Sequence, residues 1–143
     1  MIYMKSKRCY LSYILMYLFY FFSLALFSGL ISIYLVDKGF RDSHVSFVIS
    51  SSFVISIIFQ PLIGHLNDRF EPKKVNSAAL FLSAMLAILF VFLKNIYWIA
   101  LVYSTAFALF NGTNPIIEKM ATLSSFSFGK IRIWGTIGYT LGV

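Results

Sequence analysis

Apolar residues run almost without break through residues 10–36, 45–66, 75–93 and 97–120, and a further run opens at 133 and reaches the last residue, 143. Polar and charged positions are confined to the short gaps between these runs. A helix needs about 20 residues to cross the hydrocarbon core of a bilayer. The pattern therefore predicts four full spans and the start of a fifth. The runs are apolar on every side and lack the period-two alternation of barrel strands. Helices and closed barrels are the structures that satisfy backbone groups in lipid, so the spans are read as helices. The expected fold is all-α and transmembrane.

Composition supports lipid as the surrounding medium. Hydrophobic residues make up 59% of the 143 and charged residues 12%, with sixteen Phe and nine Tyr. That is about half the charge of an ordinary soluble domain, and a soluble core of this size cannot hide so much apolar surface. The basic stretch ahead of residue 10 has the look of a signal peptide's first part. The apolar run behind it is too long for one, and no small-residue cleavage site follows. It is read as a retained first helix.

Charge then orients the spans. With the amino end inside, the inner set is Lys5, Lys7, Arg8, Arg69, Lys73, Lys74, Lys119, Lys130 and Arg132. The outer set is Lys38, Arg41 and Lys94, giving nine against three. Such a bias places the amino end in the cytoplasm, in the cell's inner or plasma membrane. The net charge of +7 does not mark a nucleic-acid surface, because the positive residues sit in short loops and not along one face. Cys9 is the single cysteine, which excludes an internal disulfide. No metal-ligand spacing, phosphate-cradling loop or nucleophile elbow is present, so neither an enzyme nor a cofactor is expected.

The densest cluster of charge lies between the second and third spans. Residues 64–74 follow the pattern G-x-x-x-D-R-x-x-x-K-K, carried by Gly64, Asp68, Arg69, Lys73 and Lys74. A glycine at a helix end lets another helix approach closely. An aspartate one turn on can pair with an arginine or cap a helix. The plain alternative is a loop that only sets topology. Pro72 is placed to begin the third helix.

The fourth span carries Asn111, Gly112, Thr113, Asn114 and Pro115, a polar patch that weakens a helix. Glu118 follows three residues after Pro115. A carboxylate in a span is costly unless it faces protein, water or a partner. Arg132, heading the fifth span, is the nearest plausible partner. The bland reading makes both residues cytoplasmic helix-end markers. Tyr139 lies two turns beyond Arg132 on the same face, where an aromatic ring can pack or present a face to a ligand. Gly138 and Gly142 form G-x-x-x-G, with Gly135 before them, a close-packing pattern. His65 and His44 are read as ordinary helix-end and loop residues.

The loop pattern resembles the signature between the second and third helices of the major facilitator superfamily, departing at Glu71, where the family has Gly. Residues Phe59-Gln60-Pro61-Leu62-Ile63-Gly64 with Asp68 are similar to the matching stretch of the lactose permease-like oligosaccharide/proton symporters. So are Phe128-Gly129-Lys130-Ile131-Arg132 with Gly135 and Gly138, and the opening Tyr17-Leu18-Phe19-Tyr20-Phe21-Phe22. The resemblance implies that residues 1–143 are the amino-terminal portion of a major facilitator helix bundle. It implies a proton-coupled carrier of a sugar-like solute, with Glu118 and Arg132 holding solute hydroxyls and Tyr139 stacking where the family has Trp. The loop residues Gly64, Asp68, Arg69, Lys73 and Lys74 would steady a cytoplasmic gate. That Tyr leaves a nucleoside or another polar solute open. Such carriers pair two six-helix halves. This chain is therefore expected to be inactive alone, with the carboxy-terminal helices supplied by another chain or lost. One part of a split carrier, or a non-transporting membrane partner or regulatory protein, stays open beside the inert remnant.

Overall fold

The computed structural model describes the backbone of residues 7–143 and side chains from Tyr10 onward. Lys5, counted above in the inner set, lies outside the described residues, as do the side chains of Lys7, Arg8 and Cys9. Among the described residues the chain is helical, without strands. The helices are α1 (Lys7–Asp37), α2 (Asp42–Arg69), α3 (Pro72–Val91), α4 (Ile96–Gly112), α5 (Asn114–Thr122) and α6 (Phe128–Gly142). Four segments are long and apolar enough to cross a membrane: Tyr10–Asp37, Asp42–Arg69, Pro72–Val91 and Ile96–Thr122. Large apolar side chains stand exposed along them, among them Phe19, Ile57, Phe81 and Ile88. Apolar surface this extensive would drive association in water, and lipid is the medium that suits it.

Two compact units divide the chain, one of residues 32–116 and the other of residues 1–31 with 117–143. The first holds the end of α1 with α2, α3 and α4. Within it α4 turns Ala100, Ser104, Ala108 and Gly112 inward, a small residue every four positions. Helices in lipid gain little from hydrophobic burial against one another, so they associate where small side chains allow close van der Waals contact. A Cβ at Gly112 would run into the Ile63 side chain of α2. Along the same seam the Ser51 and Ser104 hydroxyls meet at 3.1 Å. From α3, Ser83 donates to the Ala106 carbonyl of α4 at 2.7 Å. These interhelical hydrogen bonds are each worth about 0.6 kcal/mol on average in membranes.

The α2–α3 connection is as tight as its charge and proline imply. The Phe70 amide donates to the Leu66 carbonyl at 2.9 Å, closing α2. Pro72 begins α3, where its missing N–H costs no hydrogen bond. Glu71 takes φ −62° and ψ 115°, ordinary extended backbone that needs no glycine. Inside α2, Pro61 is accommodated without breaking the helix, as spans tolerate. At the far end of α3, the Lys38 ammonium donates to the carbonyls of Val91 (2.9 Å) and Leu93 (3.1 Å), joined by the Tyr34 hydroxyl. A cation there satisfies terminal carbonyls and the helix dipole.

The fourth span runs Ile96–Thr122, in keeping with the 97–120 expected, and its polar patch interrupts the helix at Thr113, dividing it into α4 and α5. Gly112 weakens the end of α4, and the fully buried Thr113 hydroxyl folds back to the Phe110 carbonyl at 2.7 Å. Pro115 then sits in the first turn of α5, where helices accept it.

In the second unit, α6 lies along the first part of α1. Ile131, Gly135 and Gly138 are buried, and Gly142 continues the same seam. A Cβ at Gly138 would strike the Leu18 carbonyl oxygen, and one at Gly142 would meet the Phe22 carbonyl oxygen at 2.9 Å. The close-packing reading of this glycine series is therefore made between α1 and α6. Helix α6 begins at Phe128, five residues before the apolar run, and so includes Lys130 and Arg132 near its start. Phe126, in the preceding loop, packs on Tyr10 at 4.9 Å between ring centres.

Candidate functional site

Glu118, Arg132 and Tyr139 all belong to the unit formed by residues 1–31 and 117–143. On α6, Ile131 and Gly138 face α1, and Arg132 and Tyr139 each follow one of them by a single residue. Both therefore lie on the face beside the packed seam, two turns apart, and both are exposed. Glu118 is half-buried on α5. Its backbone carbonyl accepts from the Thr122 hydroxyl at 2.8 Å.

The pairing of Glu118 with Arg132 is not made. Among the described residues the ion pair present is Lys74 with Glu71 at 3.0 Å, in the α2–α3 turn. The Arg132 guanidinium instead lies 5.7 Å from the centre of the Phe128 ring, one turn back. The Glu118 carboxylate has no hydrogen-bond partner among the described residues. An anion and a cation share one unit while each keeps its bonding capacity. Such groups suit a ligand rich in hydroxyls, which donate to a carboxylate and accept from a guanidinium.

Tyr17, in the same unit, was not singled out as a site residue in the sequence. Tyr17 is fully buried on α1. Its hydroxyl has no hydrogen-bond partner among the described residues. Its ring lies 5.6 Å from that of Phe21. A Cβ on Gly135 would sit 3.1 Å from the ring's Cδ1, so the glycine leaves room for it. In the sequence Tyr17 was one aromatic among many, and only its lack of a partner in the fold distinguishes it.

The loop residues are placed differently. Asp68, Arg69, Lys73 and Lys74 are exposed around the end of α2 and the start of α3. Asp68, Arg69 and Lys73 make no ion pair among the described residues. No atom stands within 4 Å of where a Cβ on Gly64 would lie, so the close approach expected there is not made by the described residues. Among them, no three His, Cys, Asp or Glu side chains gather as metal ligands.

The spans and their apolar surfaces define a multi-pass membrane protein. Residues 10–143 match the model of the MFS_1 like family, and the chain belongs to that family, within the major facilitator superfamily. It is 31% identical over 141 residues to a melibiose permease of Enterobacter cloacae subsp. cloacae, covering 89% of this chain and 33% of that protein. It is 26% identical over 140 residues to a raffinose permease of Escherichia coli, again covering 89% of this chain and 33% of the relative. The chain thus spans about a third of the length of these curated relatives. Both are permeases, and the family is one of transporters, not enzymes. No solved structure matches.

Proposed function

We propose that residues 1–143 form the amino-terminal portion of a proton-coupled carrier for an oligosaccharide. The carrier resides in the cytoplasmic membrane with its amino end inside. Glu118 and Arg132 hold hydroxyls of the solute, and Tyr139 offers its ring to the sugar face. The observation that carries this reading is that Glu118 and Arg132, within one unit, make no ion pair among the described residues. A purely structural pair in lipid would neutralise itself, because an isolated charge there is costly. Charges kept apart are spared for a ligand.

The relatives support the solute class. Melibiose and raffinose both end in an α-linked galactose, whose ring edge is lined by hydroxyls. Aromatic rings suit the apolar face of such a sugar, and Tyr139 is exposed where it can present one. The inner turn supports the orientation. Asp68, Arg69 and Lys73 crowd its cytoplasmic rim without an ion pair among the described residues, and Lys74 pairs there with Glu71, so the turn can bond to other helices as the gate closes.

Equilibrium binding of radiolabelled melibiose to a full-length carrier bearing this segment tests the proposal. Glu118→Gln and Arg132→Lys each remove a charge-assisted or bidentate contact, worth about 1.5–3 kcal/mol. Each should raise Kd about 10- to 100-fold. Unchanged affinity in both variants would remove these residues from the site.

A further inference from the structure

We propose that Phe128 is a positioning residue of the solute site: its ring carries the Arg132 guanidinium without using up hydrogen-bond donors, and so keeps them ready for solute hydroxyls. The inference rests on the reading of Glu118 and Arg132 given above. It adds a residue that acts on the solute only through Arg132.

Phe128 opens α6, and Arg132 stands four residues on, the spacing at which helix side chains meet. The guanidinium lies over the ring, 5.7 Å from its centre. That is within the roughly 6 Å over which the electron-rich face of a ring attracts a cation. Phe128 is half-buried and Arg132 exposed. The ring therefore sits at the edge of the packed seam, and the cation it holds stays open to a solute.

The ring's own place is fixed on both sides. Ahead of it, Phe126 packs on Tyr10 at 4.9 Å and on Tyr13 at 6.3 Å between ring centres. Behind it, Ile131 is fully buried, and Gly138 lies against the Leu18 backbone of α1. These contacts set the rotation of α6 and bring the row of Phe128 and Arg132 beside the seam.

A long side chain free to change rotamer must be ordered when a ligand binds, and that ordering weakens binding. Two kinds of neighbour could order Arg132 beforehand. A carboxylate would do so by accepting its N–H groups, which would have to be withdrawn before a sugar could use them. A ring face attracts the cation as a whole and leaves those donors uncommitted. Phe128 thus does for Arg132 what an ion pair with Glu118 would do, and neither charged group is occupied by it. Leucine at position 128 could pack against α6 and its neighbours but would offer no such face.

Equilibrium binding of radiolabelled melibiose to the full-length carrier bearing this segment tests the role, with the amount of protein in the membrane measured in parallel. Position 128 carries in turn 4-fluoro-, 3,5-difluoro- and 3,4,5-trifluorophenylalanine, since each fluorine drains the ring face of electron density with little change of size. Kd should climb with each fluorine and reach about 2- to 30-fold above that of the unaltered carrier. Phe128→Leu should show a similar loss, and Phe128→Tyr, which keeps the face, should restore affinity. In an Arg132→Gln background, with melibiose raised to suit the weaker Kd, the fluorines should change nothing further, because the ring acts through the guanidinium. If Phe128→Leu fails to reach the membrane, the fluorinated rings carry the test alone. A flat Kd across the fluorinated series, with Arg132→Lys still impaired, would overturn the role of Phe128 and leave the solute site standing. A fluorine dependence that persists in Arg132→Gln would do the same, since the ring would then act without the cation. Unchanged affinity in Glu118→Gln and Arg132→Lys would overturn the site and the role of Phe128 together.

Discussion

Glu118 and Arg132 show how much a single side chain's partner decides. A carboxylate and a guanidinium in adjoining spans invite the assignment of a salt bridge, which is the cheapest arrangement for charge in lipid. Their identities and helical positions were legible from residue types alone. Their separation was not, because it depends on the Phe128 ring beside Arg132 and on the placement of α5. Tyr17 was illegible for a different reason. In a chain with sixteen Phe and nine Tyr, no local pattern singles out one phenol, and its isolation appears only when three helices are in place. Gly64 makes the converse point. It was read as a point of close contact, yet open space surrounds the position of its missing Cβ. A Gly64→Ala change should therefore leave thermal stability in detergent unchanged or raise it slightly, since a mid-helix glycine costs about 0.5–1 kcal/mol against alanine. A clear fall in melting temperature would show that this glycine is needed for packing.

Among the elements, the spans could be read from apolar runs because lipid demands a minimum helical length. The α2–α3 turn was equally plain, since Pro72 and the charges around it fix where one helix stops and the next begins. The fourth span was harder. Gly112, Thr113 and Pro115 announced weakness, but whether a helix bends or breaks depends on how the freed backbone groups are satisfied, here by the Thr113 hydroxyl and the register of α5. The glycine series of α6 was recognised, whereas the Ala100, Ser104, Ala108 and Gly112 series of α4 was passed over because alanine and serine are unremarkable in a span. Gly138→Ala places a methyl group against the Leu18 carbonyl oxygen, a contact with backbone that cannot rotate away. It should destabilise the α1–α6 seam by about 1–3 kcal/mol. The check is the detergent melting temperature beside that of Gly64→Ala, and equal values for the two variants would contradict the packing described.

The described helices expose apolar surface, and their ionic groups lie at span ends and beside helix seams. Membership of the MFS_1 like family and the permease relatives agree with that distribution. The proposed orientation rests on the positive-inside bias. With Cys9 replaced by serine, a single cysteine at position 71 should resist a membrane-impermeant maleimide added outside intact cells, while one at position 41 should react. Labelling of position 71 from outside would reverse the topology. The proposed role of Glu118 and Arg132 in holding a sugar within a carrier can be checked by counterflow. Vesicles containing the full-length carrier and loaded with unlabelled melibiose should transiently concentrate labelled melibiose from outside, and a Glu118→Gln, Arg132→Gln double variant should not. An equal overshoot from the double variant, or none from the unaltered carrier, would overturn that role.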